Sequence, residues 1–439
     1  MNFARKGLYV LLTKIFEFTC SMGSVILVAR ALGPEGRGKY AIMTLLPMLL
    51  ALTATLGITN ANIYLLKQKK YGLYKFITNS ILFSCTASVL VIGLFFVLYK
   101  LVLYRLFQSL SFIETFIPLL ILPVSLLFFY LQSILLGVGA IRKFNLTNIV
   151  LSLSFFILLL LVFITNLKLS VWMAVYAWML SSLFTCIVTF WFCIEESVKF
   201  RFSPDWPLAV ESIRYGIKAH VGSVLLGSRN RLELIIIGYF MNNPAVGLYS
   251  IALGMIDKFD LLNRTISYLL FAEVSASNKL QGDKLTATVA RNTFWLMIVA
   301  VVPLIIMSRP IILLLYGEEF LLSRYPLCIL LFSTVFSAFV LTLGSLFQGR
   351  GNPQTFSSAC GIGLAVTVLF DIVLVPRFGL VGAAVSNVLG NFSMCCFYMI
   401  LHLRESDNRL RDLLMFPTSD LRKYAYIFKR TSKAKQERL

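Results

Sequence analysis

Apolar runs of about 20 residues, each long enough to cross ~30 Å of hydrocarbon, recur from one end of this chain to the other. No water-soluble domain of useful size fits between them, so the fold class is constrained to an all-α polytopic membrane protein. The composition agrees: 58% of 439 residues are hydrophobic and 14% charged, well outside the soluble range. The runs predict twelve transmembrane helices, near residues 7–31, 40–66, 77–99, 114–137, 144–166, 170–194, 213–238, 245–271, 289–315, 325–348, 355–375 and 379–403. The first is too long for a cleaved signal peptide and reads as a retained helix. Short joins at 166–169 and 376–379 predict antiparallel neighbours, and the longer links are 195–212 and 272–288.

The Lys/Arg distribution sets an orientation. With the N-terminus in the cytoplasm, inside segments hold 26 Lys/Arg, outside segments nine, and five are intramembrane. The positive-inside rule therefore puts both termini in the cytoplasm. It also accounts for the net charge of +20 as an orientation and anionic-lipid signal. A nucleic-acid footprint would need a basic face on a soluble domain, and there is none. The tail from Arg404 holds ten Lys/Arg, and its segment Leu410 to Phe416 is apolar enough to lie on a membrane surface.

Against this apolar background one stretch stands out. Residues 213–264 cover two expected helices yet carry Lys218, His220, Arg229, Arg231, Glu233, Asp257, Lys258, Asp260 and Arg264. Each unshielded charge in mid-bilayer costs roughly 2.5 to 3.5 kcal/mol on insertion scales, so these groups face water or one another. Helical periodicity puts Lys218, Arg229 and Glu233 on one stripe, with His220 and Arg231 about 200° round. Asp257, Asp260 and Arg264 share a face, and the Asp260–Arg264 spacing suits an i, i+4 pair. Lys14 and Glu17 add a neutral couple on the first helix. The nine named groups include five positives (Lys218, Arg229, Arg231, Lys258 and Arg264) against three negatives (Glu233, Asp257 and Asp260). A basic surplus suits a diphosphate, because guanidinium groups bind phosphate oxygens bidentately. The competing reading is that these charges are internal ion pairs holding helices together.

Other chemistry finds little support. The eight cysteines lie in or at the ends of apolar runs without metal-ligand spacing, and there are two histidines, so no metal centre and no cofactor are expected. The Gly33–Lys39 stretch has phosphate-loop spacing, but Tyr40 replaces the magnesium-holding Ser/Thr and no strand precedes it. Gly33 and Pro34 instead suggest a tight interhelical turn. No Ser/His/Asp set points to an enzyme.

Two short motifs recur half a chain apart. Gly38-Lys39-Tyr40-Ala41-Ile42 opens the second expected helix and Gly247-Leu248-Tyr249-Ser250-Ile251 the eighth. Gly137-Val138-Gly139 closes the fourth and Gly349-Arg350-Gly351 the tenth. The near-equal offsets predict two six-helix lobes related by a pseudo-twofold along the membrane normal. The division is 1–194 for the N-terminal lobe, 195–212 for a cytoplasmic connector, 213–403 for the C-terminal lobe and 404–439 for a basic cytoplasmic tail.

The phrase Arg30-Ala31-Leu32-Gly33-Pro34-Glu35-Gly36 running into Gly38-Lys39-Tyr40-Ala41 resembles the opening of the polysaccharide transporter family, the Wzx-type O-antigen and capsule flippases of the MOP superfamily. Phe202-Ser203-Pro204-Asp205-Trp206, Val246-Gly247-Leu248-Tyr249, Leu315-Tyr316-Gly317-Glu318-Glu319-Phe320 and Arg377-Phe378-Gly379-Leu380-Val381-Gly382 match in the same order. Glu233 stands where relatives more often carry Asp. The resemblance implies a two-lobed transporter in a bacterial cytoplasmic (inner) membrane. It would flip an undecaprenyl-diphosphate-linked oligosaccharide from the cytoplasmic to the outer leaflet by alternating access, with membrane lipids around it and a polysaccharide polymerase as a partner to consider.

On that reading Arg229, Arg231, Lys258, Lys218, Arg264 and Lys14 are substrate-path cations. Glu233, Asp257, Asp260 and Glu17 are the groups available to an H+ or Na+ coupling ion. Outward movement of an anionic headgroup also runs with an inside-negative potential, worth roughly 2.3 kcal/mol per charge per 100 mV. Two other readings remain open. A multidrug or cation antiporter of the same superfamily should show an intramembrane acid surplus, and a membrane polysaccharide polymerase should carry a sizeable outer loop with catalytic side chains.

Overall fold

The computed structural model describes residues 3–99, 101, 107, 109–165, 167–197, 200–406 and 408–416, with the backbone alone at 3–12, 218, 219, 272 and 353. Among the described residues there are thirteen α-helices and no strand. They are α1 (Phe3–Ala54), α2 (Ile58–Lys67), α3 (Leu73–Leu98), α4 (Phe112–Leu119), α5 (Leu122–Gly137), α6 (Ile141–Ile164) and α7 (Val171–Glu196). There follow α8 (Trp206–Phe240), α9 (Asn243–Ala276), α10 (Lys279–Leu315), a 3-10 turn (Glu318–Ser323), α11 (Arg324–Gly349), α12 (Pro353–Glu405) and α13 (Leu410–Leu414). Eight described helices are long and apolar enough to cross a membrane, so this is a multi-pass membrane protein.

Several expected loops are helical instead. α1 and α12 are 52 and 53 residues long, more than twice the ~20 that one crossing needs. Each is broken inside by a single glycine, Gly33 (φ 64°) and Gly379 (φ 56°). A positive φ costs glycine little, so a single residue makes each turn, at the places where a tight turn (Gly33–Pro34) and a short join (376–379) were expected. The link expected over 272–288 shrinks to residues 277 and 278 between α9 and α10. There the Asn278 side chain accepts from the Gln281 amide at 2.9 Å and caps α10. Residues 206–212 already belong to α8, whose N-cap Asp205 accepts from the Leu208 amide at 2.8 Å.

The second expected span is not continuous. After Ala54 the chain passes through positive φ at Leu56 (48°) and Gly57 (71°) before α2 begins. Such a break frees carbonyls that membrane interiors do not tolerate unless protein covers them. Side chains cover these: His220 Nε2 lies 3.0 Å from the Thr53 carbonyl, and the Tyr130 hydroxyl is 3.4 Å from those of Ala54 and Thr55. α8 crosses the break backbone to backbone, since a Cβ on Gly57 would fall 2.1 Å from the Gly216 oxygen.

The helices form two compact units. Unit 1 comprises Met1–Leu253, Arg309–Pro326 and Thr367–Ala383, and unit 2 comprises Gly254–Ser308, Leu327–Val366 and Ala384–Leu439. In unit 1 the core of α2, α3, α5 and α7 is built on Leu65, Phe76, Leu131, Leu135 and Cys193. Small hydroxyl residues at helical spacing, Ser80, Ser84 and Ser88 on α3 and Ser181, Thr185 and Thr189 on α7, are buried with them. Small residues let membrane helices approach closely, and Thr185 and Thr189 satisfy their hydroxyls on carbonyls one turn back at 2.7 Å. Unit 2 is built on Leu270, Val274 and Leu346, with Phe347 stacked on Tyr398 at 5.8 Å. Side chains such as Val89 (71% exposed), Leu90 and Leu314 face outward, the arrangement expected where the solvent is lipid. The cysteines are all free, five of the eight buried.

Candidate functional site

Unit 1 gathers ionisable groups around Glu233. Arg229 and Glu233 sit one turn apart on α8, and the Glu233 carboxylate, fully buried, accepts from the Tyr249 hydroxyl of α9 at 2.7 Å. Asp371 of α12 is equally buried, and both Asp371 and Arg229 are near enough to act electrostatically on the Tyr249 hydroxyl. The cluster thus joins two carboxylates, one guanidinium and one phenol. With both acids ionised, uptake of a proton or a monovalent cation would cancel one of their two negative charges. Taking carboxylates out of water is costly unless they are paired, hydrogen-bonded or neutralised. Sequence reasoning missed Asp371. Its signal was one carboxylate inside the run Thr367–Val375, inconspicuous beside nine ionisable groups clustered elsewhere.

Close backbone packing positions the tyrosine. A Cβ on Gly247 would lie 2.0 Å from the Pro34 oxygen, and one on Gly38 would lie 1.7 Å from the Asn243 oxygen. The two repeat-related glycines therefore meet where α1 crosses α9, a contact open only to residues without a side chain. Two residues further along each motif, Tyr249 reaches Glu233, while Tyr40 lies under the Arg37 guanidinium at 5.3 Å. Nearby, Arg30 donates to the Leu314 and Leu315 carbonyls that end α10.

The remaining unit 1 candidates are placed differently. Lys14 and Glu17 form an ion pair at 2.7 Å on α1, partly exposed. Arg231 donates to the Gly227 carbonyl on its own helix. Lys218 lies on α8, and its side chain is outside the described residues.

Unit 2 holds the other four. Arg264 pairs with Asp257 at 3.9 Å, both about half exposed, and Lys258 is half-buried between them in sequence. The expected Asp260–Arg264 pair does not form. Asp260 instead accepts from Ser337 Oγ and Asn263 Nδ2, each at 3.0 Å. Asn263, fully buried, also donates to the Thr334 carbonyl at 3.1 Å, and Ser267 Oγ donates to the Leu341 carbonyl at 2.9 Å. Asp260, Asn263 and Ser267 thus form one stripe of α9 hydrogen-bonded to α11. No His/Cys/Asp/Glu group able to hold a metal occurs among the described residues.

A multi-pass helical fold with buried acids and partly buried cations on discontinuous helices is the architecture of a membrane transporter. Over residues 27–324 the chain matches the family described as "Polysaccharide biosynthesis protein", and it belongs to that family. It is 23% identical over 180 residues to the "Probable low-salt glycan biosynthesis flippase Agl15" of Haloferax volcanii, a match spanning 40% of this chain and only 38% of that protein. Its fold superposes on a solved structure of the "Lipid II flippase MurJ, inward closed conformation" with a TM-score of 0.76, covering 96% of this chain and 93% of that one at 16% identity. An inward-facing multidrug resistance MATE transporter of the MOP superfamily matches with a TM-score of 0.70, covering 89% and 94% at 17% identity. The chain therefore has the MOP transporter fold.

Proposed function

We propose that the protein flips a lipid-linked oligosaccharide, carried on undecaprenyl diphosphate, across a bacterial cytoplasmic membrane with both termini in the cytoplasm. Membership of a polysaccharide biosynthesis family carries this reading, and the flippase relative and flippase fold support it. Lys258 and Arg264, exposed or half-buried in unit 2, are the cations assigned to the diphosphate, with Arg229 and Arg231 entering only as the cycle exposes them. Glu233 and Asp371 are the coupling groups: uptake of H+ or Na+ would relieve the repulsion between the two acids and weaken the hold of Glu233 on the Tyr249 hydroxyl. The product would feed surface polysaccharide such as O-antigen or capsule, with a polymerase as the consuming partner.

The test is reconstitution with an undecaprenyl-diphosphate oligosaccharide, following its appearance in the outer leaflet with and without a pH or Na+ gradient. Flipping that Lys258→Ala and Arg264→Ala reduce supports the diphosphate path. The MATE-like fold and the two buried acids Glu233 and Asp371 favour one alternative, a cation antiporter. Gradient-driven cation export with no lipid flipping would put that in its place.

A further inference from the structure

The segment after α12 folds back onto unit 2. The Arg291 guanidinium donates to the Asp412 carbonyl at 3.2 Å, and the Trp295 indole donates to the Leu414 carbonyl at 3.1 Å. Arg291 and Trp295 are one turn apart on α10 and take up carbonyls at the end of α13, while Trp295 meets the Phe416 ring edge-on at 4.9 Å. At the other end Asn408 donates to the Asp283 carbonyl at 3.1 Å and sits 3.0 Å from His402 Nε2. Asp283 in turn receives Arg350 from the end of α11. Leu413 is fully buried beneath the strap, and the Asp412 carboxylate accepts from the Arg409 amide at 2.8 Å. Residues 408–416 are therefore held in one orientation by α10 and α12.

What the strap leaves uncovered is apolar: Leu410, Leu414, Met415 and Phe416 are 49%, 38%, 67% and 50% exposed. Its depth can be read from α10. The first residues of that helix, Lys279, Asp283 and Lys284, are polar, and the apolar run begins near Val289. Arg291 and Trp295 are thus in its first two turns, the level at which Trp and Arg gather at a membrane boundary. The chain beyond Phe416 adds seven Lys/Arg against Asp420 and Glu437, a charge bias that fits anionic headgroups.

We propose that residues 408–416 are an interfacial anchor, clamped to α10 and α12 on one face and inserted into an anionic lipid surface through Leu410, Leu414, Met415 and Phe416. The anchor does not depend on what the protein transports. Its test places a spin label at Met415→Cys in the full chain with Cys85, Cys328 and Cys396 replaced by Ser, reconstituted in phosphatidylethanolamine/phosphatidylglycerol vesicles or in phosphatidylcholine alone. Collisions with oxygen and with a water-soluble nickel chelate report depth, calibrated by labels at outward-facing Val89 and at exposed Gln281 on the polar start of α10.

The expected depth lies between those two references, is greater with phosphatidylglycerol, and moves toward the Gln281 value when Leu410→Glu and Phe416→Glu are added. A label as chelate-accessible as Gln281 in both vesicles would overturn the anchor. A label shielded from both reagents would mean that protein, a second copy or a partner, covers the strap. Equal depth in the two vesicles would remove the anionic preference.

Discussion

Glu233 in unit 1 and Asp260 in unit 2 are both intramembrane carboxylates on charged helices, yet they are held in different ways. Asp260 is half-buried and its oxygens accept from a serine and an asparagine, partners that serve a neutral amide nearly as well. Glu233 has no exposed surface and shares its surroundings with Tyr249, Arg229 and a second buried acid. The difference teaches that a charge in a membrane helix is not by itself a functional signal. What matters is whether its neighbours tolerate replacement by an uncharged group of the same shape.

The largest effect is expected where the Glu233 cluster depends on backbone contact. Gly247→Val places a side chain 2.0 Å from the Pro34 oxygen and displaces Tyr249 two residues on. A loss of about 3 kcal/mol, the upper end of ordinary overpacking costs, is expected in denaturant titration of the detergent-solubilised protein. A loss below about 0.5 kcal/mol would mean that α1 and α9 separate freely.

Next comes the direct contrast between the two acids. Glu233→Gln and Asp371→Asn should each slow gradient-driven transport by at least about tenfold, ~1.4 kcal/mol in barrier. Asp260→Asn should leave it within about twofold. Equal effects of all three in the reconstituted flipping assay would erase the distinction. A smaller effect tests the ladder itself: Ser337→Ala should cost about 0.6 kcal/mol, the average for hydrogen bonds between membrane helices. A loss several times larger would show Asp260 to be charged and dependent on that hydroxyl.

Much of the fold was legible because a bilayer leaves few alternatives. Long apolar runs gave the helical class, and the Gly-x-Tyr repeat marked two positions that meet in space. The breaks were harder. A tight turn at Gly33 and a short join ending at Gly379 were legible, but not that each is a single left-handed residue between two helices. The i, i+4 rule assigned Arg264 to Asp260, but the partners are Asn263, one turn along the same helix, and Ser337, which comes from another helix and has no signature in local spacing. Asp371 was overlooked for the same reason, since its companions lie more than a hundred residues away.

Outside the membrane the same contrast can be sharpened with pH. Asp205 caps α8 and meets the Lys75 ammonium at 2.6 Å, which, with the Leu208 amide, holds its carboxyl below the usual 3.8. A lowered folded value means that the ionised form favours the folded state. That contribution is complete above the unfolded value and disappears as pH falls through the folded one. Asp205→Asn keeps the cap and loses only the charge. The native protein should therefore exceed the variant by a constant margin at neutral pH, under about 1 kcal/mol for a pair this near solvent, and the margin should close below about pH 4. The absence of a margin at neutral pH would locate the benefit in the cap alone. Lys75 would then be, like Ser337 toward Asp260, a neighbour whose charge the carboxylate does not need.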